Sequence, residues 1–251
     1  MVRVLNLATV PSPLEFAPRI LILIKRLTPQ IRSLLERQID TTPERFVAHQ
    51  PGAVVPRWEW RIFAPSLVAI EVGLSGLAAA VARASVEIYL LHLGGPQNAK
   101  IRDDTLDVKR LREVGRTDLE LWEPVFKARF PLTRADVAIA FAEWQIALPR
   151  LDRESYTSDQ FLKELIGPQS ALVVAHVTKS RRGFEYLGCI AEFVRLSVDS
   201  IPLESFSLEH EEPGRILNGL RRLGLQSRAN TNYPTALKRE LGLSDACLQR
   251  A

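Results

Sequence analysis

The chain has 251 residues, of which 46% are hydrophobic and 25% charged, and this composition excludes an intrinsically disordered protein. Its net charge of +4 is mild for this length, so it is compatible with an anionic partner without requiring one. The most apolar run, Ile20 to Ile24, is far shorter than the roughly 20 residues of a membrane span. Two separate cysteines, Cys189 and Cys247, match neither a disulfide framework nor a zinc motif, so a cytoplasmic location is expected.

Residues 1–50 are predicted to form an N-terminal helical appendage, and residues 51–251 the main domain. Prolines interrupt the first part of the appendage, and apolar residues between Ile31 and Ile39 then recur at helical spacing. Such a helix could dock on the main domain, contact a membrane surface or reflect a start site placed too early. Docking is the favoured interpretation.

Eight segments of the main domain alternate polar and apolar residues as β-strands do. The first, Arg57 to Phe63, sets Trp58 and Trp60 opposite three charged side chains. The stretch 98–111 is predicted to be a hairpin that turns at Asp103-Asp104. The candidates are residues 57–63, 85–92, the two arms of 98–111, 124–130, 172–182, 184–198 and 205–211.

Four helices are predicted between and after these strands. Thr133 with Asp136 is a capping box for a helix that continues to Pro149, and Thr157 with Gln160 is another. Pro213 begins a helix that ends before Gly224, and a short last helix is expected over residues 234–241.

The short connections indicate antiparallel pairing, and eight strands are enough to close a barrel. The predicted fold is therefore α+β, a closed eight-stranded antiparallel β-barrel with helices packed outside. Its interior would carry the charged strand faces instead of apolar ones. The predicted inner set is Arg57, Glu59, Arg61, Glu87, Lys100, Arg102, Asp107, Lys109, Lys127, Arg129, Lys179, Arg181, Glu192, Glu209 and Glu211.

For any single strand, the ordinary explanation of this alternation is a solvated sheet face. Repetition favours a functional lining, because basic residues recur two apart at 100/102, 127/129 and 179/181. Buried cations repel one another unless an anion lies among them. A polyphosphate chain is such an anion, and a few glutamates could hold a divalent metal that bridges its oxygens.

The order of these motifs resembles the CYTH, or triphosphate tunnel metalloenzyme, superfamily. The matching stretches are RWEWR at 57–61, KIRDDTLDVK at 100–109, KSR at 179–181, Glu192, SLEHEEP at 207–213 and NYPTAL at 232–237. No single motif is specific, and the order and spacing carry the resemblance over residues 57–243.

The resemblance implies an eight-stranded tunnel that binds a triphosphate-bearing substrate and commonly uses Mg²⁺ or Mn²⁺. Glu59, Glu192 and Glu209 would be metal ligands. The phosphate contacts would be Arg61, Lys100, Arg102, Lys109, Lys179 and Arg181, and Lys127 and Arg129 lie where the family has a further basic strand.

Two positions depart from the family pattern. Arg57 and Ser207 stand where the pattern has acids, so the anion-binding part of the site is better kept than the metal-binding part. The first interpretation is a metal-dependent triphosphatase acting on a triphosphate-bearing small molecule or inorganic polyphosphate. Two alternatives stay open: a non-catalytic domain that binds oligophosphate or nucleotides, and a basic protein that binds nucleic acid on an outer surface.

Overall fold

The computed structural model describes residues 55–79 and 82–243. The predicted N-terminal appendage of residues 1–50 lies outside this part of the chain. Within the described ranges, no helix is both long enough and apolar enough to cross a membrane.

Eight antiparallel strands close into a barrel, as the sequence predicts. The strands are β1 (Arg57–Ala64), β2 (Arg83–His92), β3 (Asn98–Arg102), β4 (Thr105–Val114), β5 (Glu120–Arg129), β8 (Leu172–Tyr186), β9 (Cys189–Val198) and β10 (Ile201–His210). Their order around the barrel is β1-β10-β9-β8-β2-β3-β4-β5, and β5 returns to β1.

The barrel strands are joined or followed by helices and one small separate sheet. A two-stranded sheet is formed by β6 (Leu132–Thr133) and β7 (Ser155–Tyr156). The helices are α1 (Val68–Gly73), α2 (Arg134–Trp144), α3 (Ser158–Gln160, continued by a π-helical turn at Phe161–Ile166), α4 (Pro213–Arg222) and α5 (Tyr233–Glu240).

The predicted hairpin at 98–111 forms, with β3 and β4 paired in register and the turn at Asp103-Asp104. Both turn residues have positive φ, 49° and 55°, which is the geometry that a two-residue hairpin between twisted strands requires. The hairpin therefore places Lys100 and Arg102 on one strand opposite Asp107 and Thr105 on the next.

A register shift between β4 and β5 divides β5 into two parts. Val108 pairs with Phe126 and Lys109 with Pro124, so Val125 is an extra residue. Because side chains alternate along a strand, this bulge brings Trp122 onto the same side as Lys127.

Two predicted boundaries differ from the structure. The helix after Thr133 ends at Trp144, where Gln145 takes a left-handed conformation with φ 64° and accepts a hydrogen bond from Gln97. The turn between β8 and β9 lies at Leu187-Gly188 and not at Gly183, because both residues 187 and 188 have positive φ.

Apolar packing lies outside the barrel under two of the helices. Val137, Phe141 and Trp144 of α2 lie in one apolar cluster with residues of β3, β4 and β5. Ile216 and Leu220 of α4 pack on the outward faces of β1, β9 and β10. The polar strand faces are therefore turned inward, as the sequence predicts.

A third apolar cluster fills one end of the barrel interior. It combines Phe63, Leu91, Val177 and other residues on the inward strand faces with Leu237 and its neighbours in α5. Since these residues share strand faces with the inward charges, α5 closes that end and the charged part of the lumen lies beyond it.

Candidate functional site

The central cavity of the lumen has a volume of about 260 Å³ and is enclosed mainly by charged side chains. It adjoins two wider cavities of about 320 and 440 Å³. Together these volumes are comparable to the roughly 300–1,000 Å³ of small-molecule sites. The side chains around the central cavity are Glu59, Arg61, Tyr89, Asn98, Lys100, Arg102, Asp107, Lys109, Trp122, Lys179, Arg181, Glu192, Glu209, Asn232 and Tyr233.

Nine of the eleven predicted site residues border this cavity: Glu59, Arg61, Lys100, Arg102, Lys109, Lys179, Arg181, Glu192 and Glu209. Lys127 is exposed and borders a small side cavity of about 80 Å³ next to Arg102. Arg129 lies outside the lumen, with 78% of its side chain exposed and its guanidinium 4.0 Å from the carboxylate of Asp104. The structure therefore separates Arg129 from the other cations.

The lumen contains two charge clusters of opposite composition. The cationic cluster consists of Lys100, Arg102, Lys179 and Arg181 around the carboxylate of Glu87. The carboxylate cluster consists of Glu59, Glu192 and Glu209 around the guanidinium of Arg61.

Glu87 holds the cationic cluster together. It lies on β2, between the two strands that carry the four cations, β3 and β8. Its side chain is fully buried, with 0% exposed. Lys179 of β8 donates to it at 3.0 Å and Lys100 of β3 at 3.2 Å. The guanidinium groups lie slightly farther away, Arg102 at 3.4 Å and Arg181 at 3.6 Å. One carboxylate thus faces four cations, which leaves the cationic cluster with a net charge of +3.

The protonation states of this cluster follow from burial and from these contacts. Burial alone would raise the pKa of Glu87, but Lys179 and Lys100 outweigh it and bring the pKa well below its usual value. Burial and the charge of Lys100 lower the pKa of Lys179, against the opposing effect of Glu87. Burial also lowers the pKa of Lys100. The lysines are therefore less stable as cations here than in water, which is the condition that an additional anion would relieve.

Two tyrosines form the wall between the charged lumen and the apolar end. The rings of Tyr89 and Tyr233 are stacked with 5.4 Å between centroids. Lys179 donates to the Tyr89 hydroxyl at 2.6 Å, and its Nζ lies 3.6 Å from the centre of the Tyr233 ring. Arg61 lies over the same ring at 4.6 Å. Tyr233 therefore contacts Lys179 of the cationic cluster and Arg61.

Arg61 is enclosed by the carboxylate cluster. Its side chain is 5% exposed, and Nε donates to Glu59 at 2.6 Å. Its two other nitrogens lie 3.7 Å from a Glu192 oxygen and 3.9 Å from a Glu209 oxygen. Strand register explains this, because Arg61 pairs with Ser207, which in turn pairs with Glu192.

The carboxylates of this cluster have different protonation behaviour. Burial alone would raise the pKa of Glu59, but Arg61 and Lys109 bring it below its usual value. Burial raises the pKa of Glu209, and the negative charge of Glu59 adds to this rise. Glu59 is thus the carboxylate that Arg61 neutralises most directly.

The segment 228–232 supports Arg61 where β1 and β5 separate. β1 pairs with β5 only at residues 57–59. Beyond that point Asn230 accepts a hydrogen bond from the Arg61 backbone N–H at 2.7 Å, and the Thr231 N–H donates to the Arg61 carbonyl at 2.8 Å. Asn232 caps α5 and donates to Glu120 at 2.8 Å.

The carboxylate cluster does not fit the divalent metal that the sequence resemblance implies. Bound Mg²⁺ or Ca²⁺ needs oxygen ligands within roughly 2.0–2.6 Å of the ion. The guanidinium of Arg61 takes the position among Glu59, Glu192 and Glu209 that such an ion would need. Over residues 55–79 and 82–243, no group of three or more His, Cys, Asp or Glu side chains is arranged to hold a metal ion. Their role as metal ligands stays a prediction.

Sequence reasoning did not place Glu120, Trp122 or Asn230 at the site. Trp122 borders the central cavity, and its indole N–H donates to Glu120 at 3.1 Å. The bulge at Val125 sets this orientation, and its one signal in the sequence is the neighbouring Pro124, since proline inside a strand is tolerated at bulges. Asn230 acts through the backbone of Arg61, a contact across 169 positions of sequence that no local pattern indicates.

Fold and site together define a closed antiparallel barrel protein whose lumen has a cationic cluster and a carboxylate cluster. No family model matches the sequence. No curated protein matches it significantly.

Three solved structures are similar to this chain at low identity. One is a Hippeastrum protein described as an adenylyl cyclase candidate with dominant triphosphatase activity, at 13% identity and TM-score 0.43, covering 73% of this chain and 96% of its own. Another is a conserved hypothetical protein of Pyrococcus furiosus, at 14% identity and TM-score 0.42, where the match covers 71% of this chain and 97% of the other. The third is an adenylate cyclase candidate of Bacillus halodurans, at 14% identity and TM-score 0.41, where the match covers 70% of this chain and 93% of the other. These values are too low to carry an inference about the ligand of this chain.

Proposed function

We propose that this protein binds a linear oligophosphate, of the triphosphate class, at the cationic cluster of the barrel lumen. The observation that carries the proposal is the convergence of Lys100, Arg102, Lys179 and Arg181 on one buried carboxylate. Four cations with a single buried counterion keep a strong preference for an additional anion.

The arrangement of the cations favours an extended anion over a single carboxylate. Lys100 and Arg102 are two residues apart on β3, and Lys179 and Arg181 are two residues apart on β8, so each pair spans about 6.6–6.8 Å. An anion with several charged groups in a row could contact both pairs. The arginines at the outer end of each pair can bind phosphate oxygens with two parallel hydrogen bonds.

The location of the cations favours a small ligand over a nucleic-acid duplex. The predicted alternative of nucleic-acid binding requires an outer basic stripe, whereas these four side chains point into a cavity of about 260 Å³. A duplex cannot enter a cavity of this size. The end of a chain that carries a terminal triphosphate could enter it.

Hydrolysis of the bound anion with Mg²⁺ or Mn²⁺ is the further step that the sequence resemblance predicts. The position of Arg61 among the three carboxylates favours binding without metal-dependent hydrolysis. Binding is therefore the function proposed here, and phosphate release is measured in the same experiment.

Calorimetric titration of the full chain with tripolyphosphate tests the proposal, together with a phosphate-release assay with and without Mn²⁺. Arg102→Ala should weaken binding by roughly 10- to 100-fold, because charge-assisted hydrogen bonds contribute about 1.5–3 kcal/mol each. The matched control is Arg129→Ala, which removes the same charge from a side chain outside the lumen. Absence of binding, or an equal effect of the two variants, would contradict the proposed site.

A further inference from the structure

We propose that the guanidinium of Arg61 serves as the built-in cation of the carboxylate cluster, in the position where a divalent metal would otherwise be bound. The lumen then needs no metal ion to hold its anion. The anion-binding part of this inference rests on the proposed function, whereas the metal part stands on the geometry of Arg61 alone.

The first step is that Arg61 makes the contacts expected of a central cation. All three carboxylates place an oxygen within 4 Å of its nitrogens, at 2.6 Å for Glu59, 3.7 Å for Glu192 and 3.9 Å for Glu209. The three glutamates come from β1, β9 and β10, so the guanidinium joins adjacent strands as a bound ion would.

The second step is that Arg61 is fixed in this position. Nη1 donates to Ser205 at 3.2 Å, the Tyr233 ring lies 4.6 Å from the guanidinium carbon, and the backbone is bonded to Asn230 and Thr231. Burial alone would lower the pKa of Arg61, but Glu59 and the other neighbouring charges raise it well above its usual value. The side chain therefore stays charged among the carboxylates.

The third step concerns competition with metal. A metal would have to displace the guanidinium of Arg61, which is covalently attached and cannot diffuse away. The displaced guanidinium would then be buried without a partner. Ser207, the register partner of Arg61, offers a neutral hydroxyl instead of a further carboxylate. The cluster therefore lacks the additional carboxylate that would help to bind a metal beside Arg61.

Titration of Mn²⁺ into the full chain, followed by electron paramagnetic resonance in the absence of phosphate, tests this inference. The wild type should show no saturable Mn²⁺ site. Arg61→Ala, which removes the guanidinium from among the three carboxylates, should gain one saturable Mn²⁺ site. Arg61→Lys is the matched control and should gain no site, because it keeps a cation among the carboxylates.

A second substitution locates the gained site. Adding Glu209→Gln to Arg61→Ala should remove Mn²⁺ binding again, since it deletes one of the three ligands. A gained site that persists in the double variant overturns the inference, and so does an Arg61→Ala variant that folds but gains no site.

The wild type provides a test even if Arg61→Ala fails to fold. A saturable Mn²⁺ site in the wild type that Glu209→Gln removes would overturn the inference, and its absence supports the inference. Because no phosphate is present in these titrations, their outcome is separate from that of the tripolyphosphate titration. Failure to bind tripolyphosphate contradicts the proposed function and leaves the result for Arg61 intact.

Discussion

Replacing Glu87 by Gln should have opposite effects on stability and on anion binding. The substitution keeps the shape of the side chain and removes the one carboxylate that lies within 3.6 Å of Lys100, Arg102, Lys179 and Arg181. Without an anion, these four cations then face one another across a buried neutral amide. With an oligophosphate present, the ligand supplies the missing negative charge.

The structure sets the size of both effects. Removing one partner of a buried ion pair costs about 3–5 kcal/mol, and the lower end applies here because Lys100 and Arg102 are partly exposed to water. We therefore expect the free energy of unfolding to fall by about 3 kcal/mol without ligand. The bound state should lose much less, and the difference appears as tighter binding, by roughly tenfold to 100-fold at 1.4 kcal/mol per tenfold.

Urea unfolding and calorimetric titration with tripolyphosphate measure the two quantities on the same variant. Glu123→Gln is the control, because Glu123 also pairs with two arginines, Arg110 and Arg112, but faces away from the lumen cavities. The control should change tripolyphosphate affinity little. If Glu87→Gln binds tripolyphosphate no more tightly than the wild type, Glu87 does not compete with the ligand and the reasoning fails.

Four further predictions concern protons, caps and the lumen wall. The depressed pKa of Glu87 contributes stability that is fully present above its ordinary value of 4.5 and is lost as pH falls below it, so acid should destabilise Glu87→Gln less than the wild type in urea unfolding. Because burial and Lys100 lower the pKa of Lys179, tripolyphosphate binding at alkaline pH should take up protons, measured by calorimetry in buffers of different ionisation heat. Lys179→Met should reduce this uptake, and the part that remains belongs to Lys100, whose pKa burial also lowers. Thr133→Ala removes the cap bonded to Asp136 and should lower the free energy of unfolding by about 1 kcal/mol, measured as a shift of the urea midpoint. Tyr233→Phe should leave the melting temperature equal or higher, since the buried hydroxyl has no hydrogen-bond partner among the described residues.

The fold was predictable because its main signal is local. Charged and apolar residues alternate with period two along each strand, and the apolar members are the ones that pack under α2 and α4. What the sequence could not indicate depends on distant contacts. The bulge at Val125 and the turn at Leu187-Gly188 are set by pairing with neighbouring strands, and the end of α2 by Gln145 and its contact with Gln97.

The candidate site was predictable only as a set of inward side chains. Period-two spacing brings Lys100 and Arg102 to the lumen, and the same spacing predicts Arg129 there too. Arg129 is instead exposed, because it lies at the end of β5, beside Asp104 of the hairpin turn. The resemblance to the CYTH superfamily stays a prediction, whereas the closed eight-stranded barrel that it implies is confirmed.

The division of the lumen into two clusters changes what the charged lining means. The predicted inner set was interpreted as a basic surface with a few metal ligands, yet the structure brings nearly equal numbers of cations and carboxylates together. Those that border the central cavity or belong to its two clusters are Arg61, Lys100, Arg102, Lys109, Lys179 and Arg181 against Glu59, Glu87, Asp107, Glu192 and Glu209. Each cluster has a central residue of opposite sign, so the barrel can fold without a ligand. The two central residues should nevertheless respond differently to substitution. Loss of Glu87 opens the cationic cluster to an anion, whereas loss of Arg61 opens the carboxylate cluster to a metal, and neither result is expected from a lumen that is merely basic.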